Sequence, residues 1–238
     1  MAREGFADVA SRLVDIGHRF YTRGWVLGTS GNFSAVVSRE PLRLAITASS
    51  VHKGRLRRGD ILQCDERGAL VGRRSPGRPG PGGRSPERRG SGRRRPSAET
   101  LLHIEIARLR GSGAVLHTHS VWTTVLSDLH VAEGGLSIEG YEMLKGLDGV
   151  QSHEHREWIP IIQNDQNMPR LAERVAETLD QAGDAHAFML WRHGLYTWGD
   201  TLADAERHVE ILEFLFETIG RRGTMMNWEE HHGAGENS

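Results

Sequence analysis

With 238 residues, one cysteine and a formal charge of −1, the chain can bury one sizeable core but is too poor in cysteine for a disulfide scaffold or a cysteine-lined structural zinc site. No apolar run reaches membrane-spanning length and residues 1–5 lack the apolar stretch of a secretory signal, so a cytoplasmic protein without membrane contact is expected. The near-zero charge conceals a partition: nine of the thirty Lys and Arg residues stand between 72 and 95, and outside that stretch 21 basic residues face 30 acidic ones, a net of −9.

Phe6, Val9, Ala10, Leu13, Val14, Gly17 and Phe20 recur at helical spacing and predict an amphipathic helix ending near Arg23 and Gly24. The polar turn Gly28, Thr29, Ser30, Gly31, Asn32 then opens into a strand over 33–37, followed by strands over 43–47 and 61–64. Residues 72–95 contain only Arg, Gly, Pro and Ser apart from Glu87. With nothing apolar to offset its ordering entropy, that stretch predicts a mobile loop. Arg/Gly-rich segments can also bind RNA, but the anionic remainder argues against a nucleic-acid partner. Beyond it, Ser97 is placed to cap a helix whose buried side is Leu101, Leu102, Ile104, Ile106 and Leu109. A short strand ending in His117-Thr118-His119 follows, then a helix over 120–129 and a linker through Glu139 to Gly146. A helix after Pro169, a strand over 187–191, a second apolar stretch at Tyr196 to Trp198 and a closing helix over 201–219 complete the pattern, with Thr201 and Asp204 as a capping pair. The expectation is a single α/β domain over 1–222, a sandwich with a mainly antiparallel central sheet flanked by helices, and a polar tail over 223–238.

The chemistry concentrates in the histidines. Side chains two apart on a strand point to the same face, so His117 and His119 are spaced to share one divalent metal. His193, just after the 187–191 strand, offers a third imidazole. Three histidines with an open fourth position form the ligand set of a catalytic zinc; each also has an ordinary reading as a hydrogen-bonded core residue. The spacing recurs at His153 and His155, but in a polar stretch that reads as solvated, while His103 and His208 fall on helices with packing or surface roles. The turns at 28–32 and 47–50 and the helix start at Ser97 supply backbone N–H groups and short hydroxyls suited to a phosphate. Glu99 in the first helical turn and Glu142 in the linker are carboxylates that could move protons beside a metal, or plain surface acids.

The order of Gly28-Thr29-Ser30-Gly31-Asn32, Ile46-Thr47-Ala48-Ser49, Pro96-Ser97-Ala98-Glu99, His117-Thr118-His119 and Arg192-His193-Gly194 resembles the class II (zinc-dependent) aldolase and adducin family from about Phe6 to Ile219. Within it, His52 to Leu56, Glu139 to Lys145, Asn164-Asp165-Gln166 and His193 to Gly199 are similar to the branch that dehydrates 5-methylthioribulose 1-phosphate in methionine salvage. The resemblance implies a three-layer sandwich and one zinc per subunit on His117, His119 and His193. It also implies phosphate held by Thr29, Ser30, Gly31, Asn32, Ser49 and Ser97, with Glu99 and Glu142 as the catalytic carboxylates, Glu142 serving the leaving hydroxyl. A homotetramer acting on a phosphorylated ketose is implied as well. Sister functions in the family are a fuculose-phosphate-type aldolase or a 4-epimerase, which would not need the Glu142 segment, and a non-enzymatic adducin-like role, which the intact histidine set argues against. Two departures stand out: Ser50 occupies a position where the family usually has glycine, and the Arg/Gly-rich insertion directly precedes Pro96.

Overall fold

The structure, a computed structural model, describes residues 5–71 and 94–232. Eight strands form one sheet in the order β3-β2-β1-β4-β8-β7-β6-β5: β1 (Asn32–Arg39), β2 (Leu42–Thr47), β3 (Ile61–Asp65), β4 (Ala114–Thr118), β5 (Gly135–Ile138), β6 (Glu157–Ile162), β7 (Ala187–Leu190) and β8 (Gly194–Gly199). Every neighbouring pair is antiparallel except β6 with β7. The helices are α1 (Phe6–Thr22), α2 (Thr100–Leu109), α3 (Val121–Leu129), α4 (Met168–Gln181) and α5 (Leu202–His232).

Alternation along the strands divides the core into two layers. On one face, Leu13, Ile16 and Phe20 of α1 pack with Phe33, Ala35, Ala114 and Leu116, and α3 and α5 continue that face over Leu136, Ile159, Met189 and Leu195. On the other, Leu102 and Ile106 of α2 and Leu171, Val175 and Leu179 of α4 cover Val115, Phe188, Tyr196 and Trp198. The three-layer sandwich with a mainly antiparallel sheet is therefore present. Among the described residues no helix is long and apolar enough to cross a membrane.

Four features depart from the expectations. Ser97 is not the helix cap: α2 begins at Thr100, and the Ser97 hydroxyl accepts from the Glu99 amide in a preceding turn, 3.3 Å away. The stretch from 139 to 157 is not simply linker and solvated loop, because β5 and β6 bracket it. The closing helix does not stop at Ile219 but runs to His232, into the expected tail. Most of the Arg/Gly-rich loop, residues 72–93, lies outside the described residues, as do tail residues 233–238. The end of that loop is anchored: Arg94 pairs with the buried Asp60 at 2.7 Å, and the Arg95 carbonyl accepts from the Ser49 amide at 2.9 Å.

Phe20 joins α1 to the sheet, meeting Trp25 and Phe33 edge-on at centroid distances of 5.3 and 5.6 Å. Phe20→Ala should cost about 3–5 kcal/mol, read as a fall in the urea midpoint at unchanged slope. On the same side of the sheet α5 presents Glu213, which is 2% exposed and accepts from the Thr118 hydroxyl at 2.7 Å. Burial pushes its carboxyl up to about 7, against the hydroxyls of Ser120 and Thr118, which favour the charged form. The native state thus keeps a proton that the unfolded chain releases near its ordinary value of 4.5. The stability this contributes is complete below about pH 4.5 and is lost as pH rises through about 7. Relative to Glu213→Gln, the wild type should therefore lose on the order of 3 kcal/mol between pH 4.5 and 8. Parallel pH profiles of unfolding free energy for the two proteins would refute this.

Candidate active site

The site lies where β4 ends beside the turn joining β7 to β8. His117 is opposite Tyr196 in the β4–β8 register and its ring stacks on the tyrosine, with centroids 3.9 Å apart at 14°. Its Nδ1 is 2.8 Å from the Leu195 carbonyl, which makes Nδ1 the donor and turns the Nε2 lone pair toward His119. The His119 amide donates to the Trp25 carbonyl, holding the residue just beyond the strand, and His119 Nε2 is 2.8 Å from His117 Nε2. His193 reaches the same point from the hairpin. Arg192 before it has φ of 52°, a left-handed conformation costly for a residue with a Cβ, and is braced by Asp128 at 2.6 Å and by stacking of its guanidinium on Trp191. A Cβ on Gly194 would collide with the Thr118 carbonyl, so glycine is what lets the hairpin approach β4.

One potential ligand atom from each of His117, His119 and His193 lies within 4.8 Å of the others. Burial holds all three below the ordinary histidine range, His119 down to about 3, with the neighbouring imidazoles adding to the effect for His117 and His119 and Glu99 opposing it for His193. Neutral imidazoles are the metal-binding form.

Glu99 belongs to the same constellation. One carboxylate oxygen is 3.3 Å from His193 Nε2, the other 3.6 Å from His117 Nε2. The Asn32 amide donates to it at 2.5 Å, the Asn32 carbonyl oxygen accepts from His103 Nε2, and His103 Nδ1 contacts the Ser34 hydroxyl at 2.8 Å. Asn32, expected in the phosphate turn, thus has its side chain committed to the acid. His103 is a fully buried support for Asn32; its helical position gave the sequence no signal of that role. Burial and the nearby Glu99 also push the Tyr196 phenol well above its ordinary value.

His119, His193 and Glu99 line a cavity of about 660 Å³ together with Thr29, Ser30, Gly31, Ser49 and Ser97, while His117 itself is fully buried. The structure therefore brings the expected phosphate-turn residues and the histidines to one pocket. Gly31 has φ of 70°, and a Cβ there would press on Val26 and the His117 carbonyl, which ties the turn to the histidine strand. Ser50 takes the positive φ, 59°, that glycine adopts freely. Lys53, given no role from sequence, lines the cavity although it is only 1% exposed. Its ammonium donates to the Thr29 and Val51 carbonyls at 3.1 and 3.0 Å, and burial lowers it to about 8 despite Glu99. A lysine in a polar stretch reads as solvated, so only the fold reveals it.

Glu142 is not in this pocket. It stands in a 3-10 turn, Glu142–Gly146, 72% exposed, 2.7 Å from Lys145 and 3.8 Å from His153.

The chain matches the family described as Class II Aldolase and Adducin N-terminal domain over residues 11–219. It is 43% identical over 213 residues to a Methylococcus capsulatus protein named methylthioribulose-1-phosphate dehydratase, covering 89% of this chain and 93% of the relative. A protein of the same name from Marinobacter nauticus is 41% identical over 213 residues, covering 89% and 92%. Among solved structures, L-fuculose-1-phosphate aldolase from Thermus thermophilus superposes with a TM-score of 0.68 at 21% identity, covering 93% of this chain and 98% of that one, a likeness of fold. By the span of the family match and the identity to these relatives, the chain belongs to the class II aldolase and adducin family.

Proposed function

We propose that the chain is a zinc-dependent hydro-lyase converting 5-methylthioribulose 1-phosphate to 2,3-diketo-5-methylthiopentyl 1-phosphate, the dehydration step of methionine salvage. The observation that carries this is the meeting of three neutral imidazoles and a braced carboxylate with a hydroxyl-lined wall in one cavity. Relatives about 40% identical across nine-tenths of the chain, named for that activity, supply the substrate.

The donor set fits zinc: three nitrogens that reach one point, one of them with its other nitrogen fixed on a backbone carbonyl. Held by His117, His119 and His193, zinc would supply a Lewis acid for the substrate's ketone and adjoining hydroxyl, making the carbon-3 hydrogen more acidic. Glu99, aimed by Asn32, is placed to accept that proton. Glu142 is proposed to protonate the departing carbon-4 hydroxyl, so that water leaves and the resulting enol takes up a proton at carbon 4 to become the diketone. The phosphate would lie against Thr29, Ser30, Gly31, Ser49 and Ser97. Two of the three Lys53 donors hold the surrounding turns, which leaves the third for the phosphate.

Glu142 is exposed and is not among the residues lining that pocket, so its proposed role calls for a second copy to present it. Assembly suits the surface of α3, where Val121, Val125 and Leu129 form an exposed apolar stripe, 66%, 40% and 66% accessible, at helical spacing. A homotetramer, as the resemblance implies, is proposed. The cytoplasm is the proposed location, in keeping with a single free cysteine. A second reading, a sugar-phosphate aldolase or 4-epimerase, is favoured by the same separation: Glu99 is at the histidines and Glu142 is not.

Purified zinc-loaded protein given methylthioribulose 1-phosphate should yield the diketone; an aldehyde product from a sugar phosphate would instead select the second reading. His193→Ala should lose the zinc held by these three histidines, a fall of one ion per chain by metal analysis, since two imidazoles are too few for an open site. Glu142→Gln should keep zinc and fall about 10²- to 10⁴-fold in turnover. Hybrids refolded from His193→Ala and Glu142→Gln chains should regain part of the activity, because intact histidines from one chain would meet an intact Glu142 from another. Absence of recovery in assembled hybrids would count against a shared site.

A further inference from the structure

A second convergence of ligand atoms lies at the opposite end of the sheet. Because β6 and β7 are parallel, their starts are side by side: Glu157 opens β6, His155 precedes it and His186 immediately precedes β7. The three-histidine site is at the other end of β7, about 13 Å away at roughly 3.3 Å per residue. Oε2 of Glu157 is 2.8 Å from His155 Nε2 and 3.0 Å from His186 Nδ1, and one ligand atom from each residue lies within 4.8 Å of the others.

Three further observations make this more than a surface cluster. Glu157 is 2% exposed, and its ion pairs among the described residues are with these two histidines alone, so a buried carboxylate there depends on a nearby positive charge. The orienting bonds are those a metal site uses: His186 Nε2 is 2.8 Å from the Asp148 carbonyl, and Glu157 Oε1 accepts from the His186 amide at 3.0 Å. Finally, His155 and His186 line a cavity of about 570 Å³ whose other charged lining, among the described residues, is Asp148, Asp184 and Asp200 against Arg110; even with the Asp148 carboxylate 3.8 Å from Arg207, the excess of acid favours a cation.

We propose that His155, Glu157 and His186 form a second site, separate from the three histidines, for a divalent metal of the zinc class, with its open position facing this cavity. Two nitrogens and one carboxylate oxygen are a recognised three-ligand set for that ion. The metal-free contacts of 2.8 and 3.0 Å are close to the 2.8 Å between His117 and His119 nitrogens at the first site. A tetrahedral zinc separates its ligands by about 3.3 Å, so filling the site asks the two carboxylate contacts to open by a few tenths of an ångström, the two imidazole nitrogens, now within 4.8 Å of each other, to take the same spacing, and the protons shared in those hydrogen bonds to be released.

The test strips the full-length protein with chelator, reloads it with zinc or cobalt(II), dialyses it and counts metal per chain. Wild type should hold two ions, His155→Ala one, His193→Ala one and the double variant none. His155 is 35% exposed and its replacement leaves the Glu157–His186 pair in place. Anomalous diffraction from zinc-soaked wild-type crystals gives a reading independent of any variant, with a second peak expected among the three residues. One ion per wild-type chain, an unchanged count in His155→Ala, or a second peak elsewhere would overturn the proposal.

Discussion

The close approach of the β7–β8 hairpin to the end of β4 is the constraint on which the site depends. Glycine at 194 lets two backbones meet where any side chain would strike the Thr118 carbonyl, and the left-handed Arg192 turns the chain so that His193 faces back over β4. Antiparallel pairing then brings His117 opposite Tyr196, whose ring supports the imidazole from below. Strain at Arg192 persists because Asp128 and Trp191 hold its side chain and the Ser127 hydroxyl takes its amide. The imidazoles are thereby positioned by backbone geometry.

A second consequence of this packing is that the acid must be positioned beside the imidazoles. Glu99 sits at the cap of α2, and three residues from two elements, Asn32 and Ser34 of β1 and His103 of α2, form the line of hydrogen bonds behind it. Each member uses a distinct capacity: the amide donates to the carboxylate, its oxygen takes the imidazole N–H, and the other imidazole nitrogen meets a hydroxyl. Such a line works only when every member is satisfied. It accounts for buried polar side chains at Asn32, Ser34 and His103 in a strand and a helix that otherwise face the core.

Much of this was legible in the chain itself, for physical reasons. The period-two pair His117 and His119 and the turn residues at 28–32 announce themselves because local spacing fixes their geometry. α1 carries its own apolar stripe, and α3, α4 and the start of α5 carry their own caps, at Ser120, Asn167 and Thr201. β6 was hidden by Pro160, which withholds an N–H from the ladder and makes a strand reading poor; it survives by pairing antiparallel with β5 up to that point and parallel with β7 beyond it. Long-range partnerships left no local mark. His155 reads as solvated until His186, remote in sequence, meets the same carboxylate, and Lys53 reads as surface until the Thr29 turn folds over it.

The distribution of charge bears on how an anionic ligand would be received by a largely acidic body. Among the described residues lining the cavity, Lys53 and Arg192 are the lysine and arginine, and the Arg192 guanidinium is committed to Asp128 at 2.6 Å. Lys53 is bonded to two carbonyls rather than to a carboxylate, so its charge is not neutralised by a partner in contact. One buried ammonium flanked by hydroxyl-bearing turns acts at short range in a region of low dielectric, where a single charge counts for more than several on the surface. The pocket can therefore favour a phosphate while the chain outside residues 72–95 carries excess acid, because the deciding interactions lie within a few ångströms and the opposing ones are screened by solvent.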